Sequence, residues 1–148
     1  MKIGTKYSNT VEVKEENIIH FSKGLPAFEK ETSFVLLPFE HGTPFYVLQS
    51  LKTREVAFVV ADPFSFVNSY EVKIPDGTIE QLKIMKQDDV AIFVMLTVRE
   101  PFTETTANLQ APLIINSVQK KGKQLVMSES HYRTKHAIFQ SPVTKEER

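Results

Sequence analysis

The sequence contains no cysteine. That absence excludes disulfides, cysteine nucleophiles and thiolate metal sites, and it fits a reducing compartment. Glycine is scarce: Gly4, Gly24, Gly42, Gly77 and Gly122 are the only five, and none lies near another. A phosphate-cradling glycine loop and a Gly-x-Ser-x-Gly elbow are therefore both ruled out. No apolar run approaches the ~20 residues that a membrane-spanning helix needs. Met1-Lys2-Ile3-Gly4 lacks the apolar block of a signal peptide. The expectation is a cytoplasmic protein that makes no membrane contact. The histidines His20, His41, His131 and His136 form no i, i+4 pair and have no carboxylate at a zinc-site spacing. No metal, no cofactor and no catalytic site is expected, because an enzyme would have to assemble its site from dispersed residues.

Net charge is also lacking, with 18 Lys and Arg against 18 Asp and Glu. The two signs are nevertheless unevenly placed. From Gln119 onward there are seven Lys/Arg and three Glu, which leaves eleven Lys/Arg and fifteen Asp/Glu before it. A body of about −4 thus carries a C-terminal portion of about +4 by formal count. This is either a solvated surface that segregates charge or a feature that steers an acidic partner. A weakly basic tail falls short of the dense patch that nucleic acid requires, so no direct nucleic-acid contact is expected.

What is present is a set of short apolar runs. At 148 residues the chain can bury about two-thirds of its unfolded surface, enough for one real core. Val56 to Phe64 is the central one: nearly continuous, rich in β-branched and aromatic residues, and stopped at Asp62-Pro63. It reads as a strand buried on both faces. Phe34–Phe39, Phe45–Leu51, Val90–Val98 and Leu113–Val118 are its expected partners. Ile3-x-Thr5-x-Tyr7 and Val11-x-Val13 alternate around Ser8-Asn9 as a hairpin, and Ile18–Phe21 gives a further strand that holds His20 half-buried. Gly24-Leu25-Pro26 is a turn with Gly24 at positive φ. Tyr70, Val72 and Ile74 alternate with polar residues and read as an amphipathic strand. Asp76 is placed to cap one short helix whose face carries Ile79 and Leu82. Lys121-Gly122-Lys123 reads as a hairpin turn into Gln124–Met127. Many short strands and one helix indicate a mainly β protein, a small antiparallel β-barrel-like domain. Closure would hide edges otherwise open to aggregation.

Binding residues are sought in loops. Phe64, Phe66 and Tyr70 cluster after the central strand, where aromatics serve either as core anchors or as partner contacts. Glu71 beside them suits a partner with exposed Lys or Arg. The amides of Asn108 and Gln110 lie near Pro112, which demotes local pairing to an edge or bulge. They either satisfy local backbone or recognise another chain's backbone by strand addition.

Several of these segments carry a resemblance. Phe21-Ser-Lys-Gly-Leu-Pro-Ala-Phe-Glu29, Phe34-Val-Leu-Leu-Pro38, Pro44-Phe-Tyr-Val-Leu-Gln-Ser50, Val56–Phe64 and Thr106-Ala-Asn-Leu-Gln-Ala-Pro-Leu-Ile-Ile-Asn116 resemble the flagellar assembly factor FliW family, as do Lys121–Val126 and Tyr132–His136. The match runs in one order from the first strand to about His136. It implies one β-barrel domain over residues 1–136, with 137–148 a flexible C-terminal tail. It also implies a non-enzymatic protein, monomeric on its own, that binds flagellin and exchanges it for a dimer of CsrA, the translational repressor of flagellin mRNA. Antagonism of CsrA would act allosterically, away from the surface that contacts RNA. The alternative is a flagellin-specific secretion chaperone with no role in translation. On this reading Phe64, Phe66, Tyr70, Glu71, Asn108 and Gln110 are the expected partner contacts.

Overall fold

Val90–Thr97 forms the longest strand in the computed structural model, which describes residues 1–139. In chain order the strands are β1 Lys2–Ile3, β2 Val11–Glu12, β3 Ile19–His20, β4 Ser33–Pro38, β5 Phe45–Ser50, β6 Ala57–Ala61, β7 Val90–Thr97, β8 Thr106–Ala107, β9 Leu113–Asn116, β10 Lys121–Gln124 and β11 His136–Ala137. The one α-helix among the described residues, α1, is Asp76–Gln81. The sheet runs β7-β6-β5-β4-β3-β10-β9 and returns to β7, which closes a seven-stranded barrel. All of its pairings are antiparallel except β3 with β10, which run parallel through His20 and Lys121.

Register explains the interior. Leu36, Leu48 and Phe58 face one another across β4, β5 and β6. Tyr46, Val60 and Met95 make a second rung, Phe93 and Leu113 a third, and Ala91, Ile115 and Gly122 a fourth. Because side chains alternate along a strand, these share the inner face and pack with Phe21 and Phe34 into the main core. Gly122 is needed there for space. A Cβ built on it would lie 2.5 Å from Cζ of the fully buried Phe21. Gly24 does have positive φ, +65°, in the turn that folds Leu25 inward.

The outer wall is covered by other parts of the chain. The β1–β2 hairpin lays Ile3 and Val13 over Val35, and α1 lays Leu82 over Ile114. Residues from the 66–72 and 132–139 segments bury Val94. Glu31 clasps two loops, accepting hydrogen bonds from the hydroxyls of Ser50 and Thr53. The Ser50 bond is the main cause holding its carboxyl below the ordinary range. Partial burial opposes it, and Thr53 and the Lys52 charge add to it.

Several expectations need correction. Tyr70–Ile74 is extended but pairs with no strand among the described residues, because Tyr70, Val72 and Ile74 turn onto the barrel wall as a cover. Asp76 is the first helical residue and not the cap. Pro75 holds the cap position, and Thr78 and Leu82 are the buried positions. Lys121-Gly122-Lys123 is strand. The turn before it is built by Asn116, whose Oδ1 accepts the N–H groups of Val118 and Gln119, with Lys120 at φ 56°. His20 is exposed because it faces outward from β3. Of the residues expected as tail, Ala137 is in β11, Ile138 is buried, and Phe139 packs against Phe45 and Phe66. The rest of that tail, residues 140–148, lies outside the described residues.

Two stability outcomes follow from this packing. Gly122→Ala should destabilise the barrel by about 1–3 kcal/mol through overpacking, with part recovered by Phe21→Leu in the same chain. An unchanged denaturation midpoint would show that the ring does not press on this position. Glu31→Gln should cost about 1 kcal/mol at neutral pH. The folded-state pKa of Glu31 is lowered, so its contribution is full above the unfolded carboxylate pKa and vanishes as pH falls through the lowered value. Wild type and variant should therefore converge in acid; a gap that persists there would contradict the clasp.

Candidate partner-binding groove

The chain leaves β6 at Asp62, whose Oδ1 accepts the Phe64 N–H at 3.0 Å. This caps a single turn over Pro63–Ser65. The turn sends Phe64 outward, 45% exposed, and Phe66 inward, where its ring lies 5.6 Å from that of Phe45. Tyr70 is buried, and its hydroxyl donates to the Leu109 carbonyl at 2.6 Å. Burial first, and the adjacent Tyr132 second, push its phenol above the ordinary range, so it stays a neutral donor. Its ring also meets Tyr132 at 4.8 Å and Phe64 at 5.8 Å. Glu71 is exposed, and its backbone N–H donates to the Tyr132 hydroxyl at 2.9 Å.

Beyond Tyr70 the surface opens into a groove of about 830 Å³. One wall is the extended segment from Glu71 to Pro75, and the other runs from Leu125 to Tyr132. The second wall hangs on the backbone preceding β9: Leu125 N–H donates to Pro112 O and Met127 N–H to Gln110 O, both at 2.8 Å. In an extended chain the residue between two such donors turns its own N–H and C=O the other way. Val126 is that residue; it has no backbone hydrogen bond among the described residues, and its side chain is 59% exposed. The backbone groups of Val72, Lys73 and Ile74 on the opposite wall have no such bond either. The groove thus lies between two backbone edges that are unpaired among the described residues.

Charge is exposed along it. The one ion pair among the described residues joins the Met1 amine to Glu12, so the rim residues Glu71, Lys73 and Glu129 take no part in one. Among the described residues no group of three or more His, Asp or Glu could hold a metal ion.

The six sequence-derived residues therefore separate. Phe64 and Glu71 are surface groups near the groove. Tyr70 is a buried strut, and Phe66 belongs half to the core. Asn108 satisfies local backbone, its Oδ1 accepting the N–H groups of Gln110 and Ala111 at 3.1 Å each. Gln110 builds the second wall through its carbonyl. Val126, Glu129, His131 and Tyr132, which also line the groove or its edge, are not among the partner contacts expected from the sequence. The alternation of Leu125 and Met127 inward against Val126 outward was the one signal available.

The family model described as FliW protein matches residues 2–138. The flagellar assembly factor FliW of Geobacillus kaustophilus (strain HTA426) is 48% identical over 145 residues, which is 98% of this chain and 100% of that one. The flagellar assembly factor FliW of Anoxybacillus flavithermus is 50% identical over 143 residues, covering 97% and 98%. A crystal structure of the flagellar assembly factor FliW superposes with a TM-score of 0.91 at 45% identity, covering 96% of this chain and 99% of that one.

The strut and the surface ring should behave differently. Tyr70→Phe should lower stability by about 1–2 kcal/mol, because the buried Leu109 carbonyl loses its donor. Phe64→Ala should cost about 0.5 kcal/mol or less. Urea unfolding of both variants checks this, and the reverse order would contradict the assignment of roles.

Proposed function

The chain belongs to the FliW family of flagellar assembly factors, and from that premise we propose that it is a non-catalytic binding protein that alternates between two partners, flagellin and a CsrA dimer. Holding flagellin, it leaves CsrA on its messenger. Once flagellin is exported, the freed protein binds CsrA away from the RNA surface and relieves repression of flagellin synthesis. This exchange takes place in the cytoplasm.

The observation that carries this reading is the groove with two unpaired backbone edges. Such edges take an extended segment of another chain as an added strand, with the main chain supplying affinity and side-chain positions supplying selectivity. Phe64 adds an exposed aromatic anchor, and Glu71 favours a partner segment that bears Lys or Arg. The antagonism must be reciprocal: if flagellin lowers the affinity for CsrA by some factor, CsrA lowers the affinity for flagellin by the same factor.

Calorimetric titration tests this. Each partner alone should saturate the protein, and each should weaken the other. Phe64→Ala combined with Glu71→Lys should reduce flagellin affinity about tenfold or more while leaving the melting temperature in place. Full-strength binding of both partners together would defeat the exchange. Binding of flagellin with no effect of the protein on CsrA–RNA affinity in a gel shift would leave a secretion chaperone only.

A further inference from the structure

Among the described residues, the outward residues of β4, β7 and β9 lie beneath an apolar cover, but those of β3 and β10 do not. Gly122 faces Phe21 inside the barrel, so its strand neighbours Lys121 and Lys123 point outward. The parallel pairing sets His20 beside Lys121 on the same face, and Lys23 joins them from the turn after β3. His20 and these lysines surround a groove of about 510 Å³ floored by Leu25 and Leu82, with Glu29 the one carboxylate in its lining. That carboxylate is partly engaged by the N–H of Ala27 at 3.2 Å. Lys123 donates to the Gln81 side chain at 2.8 Å, and none of these lysines is in an ion pair among the described residues.

We propose that this face is a second docking surface, one that takes an acidic protein segment in extended conformation. Lys121 and Lys123 are two residues apart on a strand, about 6.5–7 Å, the same spacing that alternate carboxylates have in an extended peptide. The apolar floor beside them admits one aliphatic side chain as an anchor. A nucleic acid fits less well. The lining holds no arginine to fork onto phosphate or base edges and no Phe, Tyr or Trp ring on which a base could stack. The proposal is independent of the groove between Glu71 and Tyr132 and does not require flagellin or CsrA to be its occupant.

Fluorescence anisotropy on the full chain tests it. The probe is a dye-labelled synthetic peptide that alternates Glu with Ser and ends in Leu. Its controls are the same peptide with Lys in place of Glu, and a dye-labelled oligouridine. The acidic peptide should bind, more weakly as salt is raised, and the Lys peptide should not. Lys121→Gln with Lys123→Gln, and separately Lys121→Glu with Lys123→Glu, should weaken binding about tenfold or more at unchanged melting temperature. Phe64→Ala should bind the peptide as the wild type does, which keeps the result separate from the other groove. No binding of the acidic peptide, binding by both double variants as tight as the wild type's, or tighter binding of the oligouridine would each overturn the proposal, the last by giving the face to nucleic acid.

Discussion

One edge of β7 has to serve two partners. Its first half, Val90 to Phe93, pairs with β9, and further along Leu96 and Thr97 pair with β8. The first pairing closes the barrel and removes the sheet edges that a set of β-branched strands would otherwise present. Between the two pairings the chain cannot stay in one ladder. Asn108 N–H still reaches Met95 O at 2.9 Å, and then the backbone peels away. Leu109 N–H turns to Arg133 O, and the carbonyls of Gln110 and Pro112 turn to Met127 and Leu125. Nearly every backbone group of this segment finds a partner, as buried groups must. The edge is not abolished by this arrangement; it is passed outward to Val126.

The groove is thus a by-product of closing the barrel. Its other wall arises from a similar compromise. The 70–74 segment spends its apolar side chains on covering β7 and β9, and Tyr70 fixes it to Leu109. Its backbone from Val72 to Ile74 is left extended and, among the described residues, unpaired. Two requirements, burying the outer faces of β7 and β9 and satisfying their backbone, leave two edges on the walls of one groove. The neighbouring wall is different in kind: β3 and β10, next to β9, turn His20, Lys121 and Lys123 outward, and these polar side chains need no covering segment.

Much of this fold is legible in the sequence. The runs at 34–39, 45–51, 56–61 and 90–98 have the length and β-branching of buried strands, and all of them are strands. Asp62-Pro63 marks the end of β6 because the carboxylate caps the next turn. The errors have common causes. Period-2 alternation at Tyr70–Ile74 reports one buried face, and a covering segment has one buried face just as a strand does. Gly122 reads as a turn glycine because turns are where glycine is usual. Its real constraint, the Phe21 ring, comes from a residue about a hundred positions away. The candidate groove was half legible: Phe64 and Glu71, which lie near it, announce themselves as an aromatic and an acid in a loop. Val126 does not, because its importance lies in its backbone, on which the side chain is silent.

The most direct test of the account is amide hydrogen exchange on the free protein and on its complex with flagellin. The account predicts fast exchange at Val126 and at Val72, Lys73 and Ile74 in the free protein, with protection appearing at Val126 or along 72–74 when flagellin is bound. Saturation with flagellin that leaves all four amides unprotected, while other parts of the surface become protected, would contradict it.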